Sequence, residues 1–295
     1  MAYLSGPYGL LRDLWPTALP RLNNDQRCYA LLSDKEKVPG SREQIPLWAT
    51  VQRNRLPFDT TRRLVLLLME IPPAVAHQQI AVNVQGFVCG ANLALRTLGN
   101  WHGRLDNARN ARQTLTLCSG GHSAPFTAQA KALQQIIDYI RSEAGDATKH
   151  GVDRGRLQLE RPVFRRAKEN GHKAIQLTAF DDPMGHARKV AEQWVIIDRL
   201  ELGVQSEGYQ TTRSSAMAIQ ASDFVQATIL FDISNPGVSS KKCIVRFWMT
   251  RVIRLARPQK STKHGKGLTQ KGKATEMRNL GDGFQWGPEP EDVDI

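Results

Sequence analysis

The sequence predicts an α+β fold with two β-rich halves, and three observations support this. Strand-like patterns occur on both sides of a polar, glycine-bearing stretch at residues 143–155. One long amphipathic helix pattern stands out, and regular β–α–β alternation is missing. We therefore expect small antiparallel sheets or sandwiches, each half carrying one or two helices, followed by a flexible basic C-terminal tail.

The predicted domains are an N-terminal arm at 1–44, a first half at 45–145, a second half at 156–257 and a tail at 258–295. The arm is polar apart from isolated apolar anchors such as Leu11, Leu14 and Trp15. Because Pro16 and Pro20 stop a helix from continuing, the arm is not expected to fold alone. It is expected either to dock on a partner or to pack on its own domain.

The first half begins with a strand-like segment, Gln44–Trp48. Apolar or alternating runs predict strands at 63–70 and 79–85, which we expect to pair antiparallel, and another strand at 113–118. Residues 90–101 are interpreted as a short helix. The clearest helix is predicted at 126–141, where apolar residues recur on one face.

The second half is predicted to contain a strand at 173–180, a helix at 187–194 and β-rich segments at 216–221 and 224–233. The Asn235-Pro236-Gly237 sequence indicates a turn, since proline presets φ and glycine tolerates positive φ. A strand at 243–255 closes the folded part. Beyond Pro258 the apolar residues vanish, which is typical of a chain that cannot bury a core.

Charge is concentrated near the C-terminus. The chain has 40 Lys+Arg and 28 Asp+Glu, a net +12, and residues 241–278 hold twelve bases and one acid, whereas residues 279–295 hold five acids and no base. A dense basic segment favours binding to a polyanion, which is nucleic acid, anionic lipid or the acidic surface of a receptor. The candidate contacts are Lys241, Lys242, Arg246, Arg251, Arg254, Arg257, Lys260, Lys263, Lys266, Lys271 and Lys273.

No catalytic or metal-binding motif is found, so we predict a protein that is not an enzyme, with no catalytic residues, no metal and no cofactor. The four cysteines form no C-x-x-C pair, which favours buried thiols over zinc or disulfides. His102 and His122 flank Cys118 without a third orienting group. The Asp181-Asp182 pair before Pro183 is interpreted as a helix N-terminus.

No apolar run reaches the about 20 residues that a membrane-spanning helix needs, and the N-terminus lacks a secretory pattern. We therefore expect a soluble intracellular protein. Apolar strands such as Leu64–Met69 and Val225–Phe231 need covering, and sheet edges invite pairing, so self-association into a homo-oligomer is expected as well.

Two short stretches suggest a family. The order of segments from Ile80 to Gly120 resembles the core of rhabdovirus-type matrix proteins, and Gln44–Trp48 with Pro57–Thr61 resembles a stretch of filovirus matrix proteins. Both lie within residues 44–120, which are about a quarter of the chain. No P-P-x-Y or P-T-A-P motif occurs in the arm, a departure from the family that puts recruitment of host budding factors in doubt.

The resemblance implies a viral structural protein of the virion that self-associates and bridges ribonucleoprotein and an anionic membrane surface. It would reside in host cytoplasm, at the membrane periphery and in the nucleus. A plant-virus cell-to-cell movement protein is an alternative, since residues 86–99 resemble that family as well. A cellular protein that binds RNA or another nucleic acid and an undetected enzyme are further alternatives.

Overall fold

A computed structural model of the protein describes residues 2–6, 9–20, 32–53, 63–68, 79–90, 93–144, 146–149, 152–153, 155–167, 174–206, 210–234 and 242–258. Strands dominate, and α2 alone among the described helices is long, which confirms the α+β class. The helices are α1 (Ile45–Trp48), α2 (Ser123–Ala144) and α3 (His186–Val190). The strands are β1 (Ala2–Gly6), β2 (Gly9–Leu10), β3 (Lys37–Val38), β4 (Ala49–Arg53), β5 (Arg63–Leu68), β6 (Ala81–Val88), β7 (Arg112–Cys118), β8 (Asp146–Lys149), β9 (Val152–Asp153), β10 (Arg156–Pro162), β11 (Arg165–Arg166), β12 (Trp194–Val195), β13 (Glu201–Gln205), β14 (Thr211–Arg213), β15 (Phe224–Ser234) and β16 (Lys242–Ala256).

Five of these strands close into a barrel. β7 pairs with β6 and β10, and β15 pairs with β6 and β16. The barrel closes where β10 meets β16 in a parallel pairing, whereas its other pairings are antiparallel. When the five strands are numbered by their order in the chain, they lie around the barrel as first, second, third, fifth and fourth. This is the connectivity of an OB fold, a five-stranded Greek-key barrel.

The barrel core follows from the alternation of side chains along its strands. On β10, Leu157 and Leu159 are buried between exposed or half-exposed neighbours, and they face Leu115 and Leu117 of β7. Helix α2 packs on the barrel with Leu133, Ile136, Ile137 and Ile140, whose spacing places them on one helical face. The hydrophobic cores of the strands and of α2 are therefore one continuous cluster.

Several predicted elements are confirmed. The helix expected at 126–141 lies inside α2, and the strands expected at 63–70, 79–85, 113–118, 224–233 and 243–255 correspond to β5, β6, β7, β15 and β16. None of the described helices has the length and apolar character needed to cross a membrane.

The predicted pairing of the strands at 63–70 and 79–85 is wrong, because β15 lies between β5 and β6. The segment expected as a strand at 44–48 is α1, where Pro46 occupies the first helical turn, a position that requires no backbone N–H. The described residues of the helix predicted at 90–101 form turns and a bridge between Ala94 and Thr114 instead.

In the second half, the described residues 174–180 form no strand. The segment predicted as β-rich at 216–221 contains a 3₁₀ helix, Ala216–Ala218. Helix α3 is shorter than the predicted 187–194, and β12 follows it. The predicted turn at 235–237 lies outside the described residues. Short apolar runs do not distinguish a strand from a coil that packs on a neighbour.

The division into two halves is not confirmed, since strands from both sides of residues 143–155 alternate around the barrel. The described part of the N-terminal arm also belongs to this body. Its strand β1 pairs with β6, and Trp15 packs between Phe87 and Phe224. Leu11 and Trp15 are buried, while Leu14 is exposed.

Candidate nucleic-acid interface

Two of the predicted arginine contacts lie on β16 in ion pairs with neighbouring strands. Arg246 Nε is 2.8 Å from Glu160 Oε1, and its Nη1 is 3.7 Å from Asp232 Oδ2. Arg251 Nε is 3.2 Å from Glu201 Oε1. These carboxylates come from β10, β15 and β13, the strands on either side of β16. Both arginines are therefore engaged inside the protein.

Arg254 and Arg257 hold the loop before β15 to the end of β16. Arg257 Nε and Nη2 lie 3.0 and 3.2 Å from the two carboxylate oxygens of Asp223, and this hydrogen bonding raises the pKa of Arg257. Both arginines also donate to the Ala218 carbonyl oxygen, at 2.7 and 2.9 Å. Burial lowers the pKa of Arg254, and the neighbouring charge of Arg257 adds to that effect. These two side chains fix the 3₁₀ helix at 216–218.

The remaining predicted contacts are lysines whose side chains lie outside the described residues. Lys242 begins β16, and its side chain is outside the described residues. Outside them as well lie Lys241, Lys260, Lys263, Lys266, Lys271 and Lys273. Their role in binding a polyanion stays a prediction.

An open groove lies beside β7 and β10. Its volume is about 920 Å³. Its walls come from the loop after β6 at 95–102, the end of β10 at 161–163, and residues 179–183, 196–202 and 213–217, while Gln113 of β7 lies in its lining. Five separated stretches of chain thus meet with β7 at one open site.

Cations outnumber anions in this groove. Its described lining contains Arg96, Arg161, Arg199 and Arg213 against Asp181 and Asp198. Arg161, which is 3% exposed, is anchored by a contact of 2.5 Å between its Nη2 and Asp198 Oδ1, and Arg199 Nη2 lies 2.6 Å from Asp181 Oδ2.

The other two arginines of the groove are available to a ligand. Arg213 lies at the end of β14, is exposed and has no ion-pair partner among the described residues. Arg96 is exposed as well, and its polar contact within the described structure is with the Met217 sulfur, 3.6 Å from Nη2. Two arginines of the groove therefore have no carboxylate partner in the part of the chain that the structure describes.

The paired aspartate Asp181 is held firmly in its charged form. Burial alone would raise its pKa, but hydrogen bonds from Thr178 and Thr97 and the charge of Arg199 together place the pKa below its usual range. The Thr97 hydroxyl donates at 2.7 Å and the Thr178 backbone N–H donates at 3.0 Å. This network ties the loop after β6 to the segment before α3, so the two walls of the groove are connected.

Exposed apolar side chains gather at the same place. Phe180 is 78% exposed and Met217 is 58% exposed, and both line the groove. Met184, which is 74% exposed, follows the lining residue Pro183. These are three of the six large apolar side chains that are exposed in the described structure. Clustering of this kind marks a binding site more often than single exposed residues do.

A second cavity of about 380 Å³ adjoins the groove. Both cavities are lined by Leu95, Arg96 and Met217, and the contact between Arg96 and Met217 lies between them. Its remaining lining is mostly apolar, from residues 93–94 and 219–221. The groove thus continues past this contact toward the turn before β15.

Sequence reasoning missed Arg96, Arg213, Phe180 and Met217. Arg96, Phe180 and the segment that holds Arg213 and Met217 are far apart in the chain, and no local pattern relates them. Phe180 ended a predicted strand, and Met217 lay in a segment interpreted as β-rich. Only the folding of the loops onto the barrel brings the four side chains together.

The structure also places the Asp181-Asp182 pair and two of the cysteines. Asp182 caps α3 by accepting from the backbone N–H groups of His186 and Ala187 at 2.9 and 2.8 Å, as expected of a helix N-terminus. Among the described residues, no group of three or more His, Cys, Asp or Glu is placed to hold a metal ion. Cys118 neighbours Cys89 and interacts with its thiol.

Neither a family model nor a curated protein matches the chain. Solved structures with a similar arrangement include a single-stranded DNA-binding protein from bacteriophage Enc34 in a C-terminally truncated form, at 10% identity, covering 66% of this chain and 96% of that chain with a TM-score of 0.36. They also include gp2.5, a single-stranded DNA-binding protein encoded by bacteriophage T7, at 7% identity, covering 64% and 99% with a TM-score of 0.35. The Enc34 protein in complex with single-stranded DNA overlaps at 10% identity, covering 66% and 97% with a TM-score of 0.31.

The resemblance to viral matrix proteins is therefore wrong, since the similar structures are phage single-stranded DNA-binding proteins. The matrix-like function and the membrane association that this resemblance implied are therefore wrong as well. The stretch from Ile80 to Gly120 contains two adjacent barrel strands and their connecting loop, and Gln44–Trp48 is α1 with the residue before it. Strand, loop and strand in that order occur in many folds, so these segments did not specify one.

Proposed function

We propose that this protein binds single-stranded nucleic acid in the groove beside β7 and β10, without catalysing a reaction. The observation that carries the proposal is that three suitable side chains line one open cavity. Arg96 and Arg213 have no carboxylate partner among the described residues, and Phe180 has an exposed aromatic ring. The similar phage proteins bind the same class of ligand, but the proposal rests on the residues of the groove.

The arginines supply the contact with phosphates. A guanidinium group makes two parallel hydrogen bonds to a phosphate and keeps its charge at every physiological pH. Because Arg161 and Arg199 already have carboxylate partners, Arg96 and Arg213 are the groove cations that gain most from a phosphate. These contacts position a strand without reading its sequence.

The apolar side chains supply the contact with bases. An exposed aromatic ring stacks on any base, with about 1–3 kcal/mol per base. The faces of bases inside a duplex are covered by their neighbours, so Phe180 can stack only on an unpaired, unstacked base. The groove therefore favours a single strand over a duplex.

The position of the groove agrees with this use. In OB folds, oligonucleotides bind on the face of the second and third strands and on the loop that joins the first two. Here those elements are β7, β10 and the loop after β6, which contribute Gln113, Arg161 and residues 95–102 to the lining. Fold alone does not establish function, so the weight lies on the side chains.

The test is a titration of the protein with a fluorescently labelled single-stranded oligonucleotide, in DNA and RNA forms, with the matching duplex as competitor. We expect the single strand to bind more tightly than the duplex. Phe180→Ala should raise Kd by about fivefold or more, since even the low end of the stacking range is about 1 kcal/mol.

Leu47→Ala is the matched control, because Leu47 is 79% exposed and lies on α1, outside the groove lining. It should leave Kd unchanged. Equal affinity for duplex and single strand, or identical effects of the two substitutions, would reject the groove as the binding site.

A further inference from the structure

Two cysteines lie close together where the first two barrel strands end. Phe87 of β6 lies opposite Cys118, the last residue of β7, and the Cys89 N–H donates to the Thr116 carbonyl oxygen at 2.8 Å. In this antiparallel register Cys89 and Cys118 lie on the same face, diagonal to each other. They come from segments that are 29 positions apart in the chain.

The two thiols are neighbours and are chemically unequal. They are half-buried and form no disulfide. Their mutual hydrogen bond lowers the pKa of Cys118 to about 6 and raises that of Cys89, and the charge of Arg156 favours the thiolate further. Cys118 is therefore the nucleophile of the pair at neutral pH, because the thiolate is the reactive form of cysteine.

The third described cysteine lacks these features. Cys243 is fully buried on β16, which makes it inaccessible to a dissolved oxidant. Partial exposure, a neighbouring thiol and a nearby arginine occur together at Cys89 and Cys118 alone among the described cysteines.

We propose that Cys89 and Cys118 are a redox modification site that forms a reversible intramolecular disulfide on exposure to a peroxide. The Cys118 thiolate attacks one peroxide oxygen, giving a sulfenic acid and releasing hydroxide from hydrogen peroxide. The Cys89 thiol then attacks the Cys118 sulfur, the S–S bond forms, and the sulfenic oxygen leaves as water. Peroxide is the oxidant, and a dithiol reductant reverses the change.

The local backbone can accommodate the bond. Cys89 follows the last residue of β6 and begins a loop, while Cys118 is the last residue of β7. Gly120 and Gly121 follow in positive φ, at 56° and 95°. The two sulfur atoms must approach further to reach bonding distance, and strand ends beside a loop and a glycine turn permit a shift that central strand positions would resist.

The experiment treats the reduced full-length chain with a slight excess of hydrogen peroxide, blocks remaining thiols and maps the peptides by mass spectrometry. We expect a disulfide between Cys89 and Cys118 that a dithiol removes, with Cys243 recovered as a free thiol. Recovery of both cysteines as free thiols, or their pairing with Cys28 or with another chain, would overturn the proposal.

Two variants separate the steps. In Cys89→Ser the sulfenic acid on Cys118 has no partner thiol, so a carbon nucleophile that traps sulfenic acids should label Cys118. In Cys118→Ser no label should appear at Cys89. The reverse pattern would overturn the assignment of the nucleophile. This readout does not involve nucleic acid, so it stands or fails independently of the proposed function.

Discussion

Arginines on β16 and arginines around the groove carry the same formal charge but have different surroundings. Arg246, Arg251 and Arg257 each meet at least one carboxylate within 3.2 Å. Arg96 and Arg213 meet no carboxylate among the described residues. Most arginines in the described part of the basic segment are therefore paired with carboxylates, whereas the two groove arginines from distant parts of the chain have no such partner among the described residues.

The difference follows from where the residues sit in the sheet. β16 runs between β15 on one side and β8, β10 and β13 on the other, so its outward side chains are flanked by carboxylates of neighbouring strands. Arg96 comes from a loop and Arg213 from β14, the terminal strand of the sheet order. A central strand offers ion-pair partners on both sides, whereas a loop or an edge strand leaves a cation to the solvent and to ligands.

The largest effect is expected from cations outside the described residues. Replacing Lys260, Lys263, Lys266, Lys271 and Lys273 with glutamine keeps the acidic residues and removes five charges. If all five contact phosphates, the log–log slope of affinity against salt should fall by up to about 3.5, at about 0.7 per contact on a single strand. A salt series of binding titrations measures it, and an unchanged slope would show that these lysines do not bind the strand.

The next effect concerns Arg96 and Arg213 of the groove, which have no carboxylate partner among the described residues. Arg96→Gln combined with Arg213→Gln should lower the same slope by about 1.4, because two phosphate contacts are lost. Stability should hardly change, since neither side chain is in an ion pair within the described structure. Arg109→Gln is the control, as Arg109 is exposed and lies outside the groove lining. If the control and the double variant give equal slopes, the groove arginines are not phosphate contacts.

Sequence reasoning predicted the barrel strands well and their arrangement poorly. β7, β15 and β16 have the apolar alternation that local patterning detects, so they were found within a few residues. Their order was not predictable in this way, because β15 inserts between β5 and β6 by pairing with residues that are 137 to 171 positions away in the sequence. Register and closure depend on these distant partners.

The candidate site was even less accessible to sequence reasoning. Counting charges selected Arg246 and Arg251, but availability depends on Glu160 and Glu201, which reach β16 from other strands. Phe180 follows an apolar pattern that predicted a strand, yet its ring is exposed. No property of a linear segment reports whether a side chain is paired or covered.

Arg199 of the groove can be freed from its carboxylate partner by a substitution at Asp181. Asp181→Asn removes the carboxylate partner of Arg199, so the salt slope should rise by about 0.7 as a further phosphate contact becomes available. Because the pKa of Asp181 is lowered in the folded state, its ionised form stabilises the fold above the ordinary carboxyl pKa, and that contribution is lost as pH falls through the folded-state value.

Chemical denaturation at several pH values measures the contribution of Asp181 to stability. Wild type should be more stable than Asp181→Asn at neutral pH, and the difference should shrink in acid. A difference that does not depend on pH would contradict the assigned role of this carboxylate, and a lower salt slope would contradict the freeing of Arg199.

Substitution of an arginine that only positions a loop should lower stability and leave the salt slope unchanged. Arg257→Gln leaves Asp223, which is 1% exposed, without its charged partner, and we expect a loss of about 2 kcal/mol in the free energy of unfolding. The value is below that of a fully buried pair because the Arg257 side chain is 43% exposed. The salt slope should stay the same. A lower slope with unchanged stability would instead identify Arg257 as a phosphate contact.

The smallest effects are expected for Arg246→Gln and Arg251→Gln. Both side chains are about one-third exposed, so each ion pair should contribute about 0.2–1 kcal/mol to the free energy of unfolding. Neither substitution should alter the salt slope, because the carboxylates of Glu160 and Glu201 already occupy these cations. Denaturant titration and the binding salt series, run on both variants beside Arg109→Gln, measure the two quantities. A slope lowered by about 0.7 for either variant would mean that a phosphate displaces the carboxylate, and the distinction between paired and available arginines would then fail at that position.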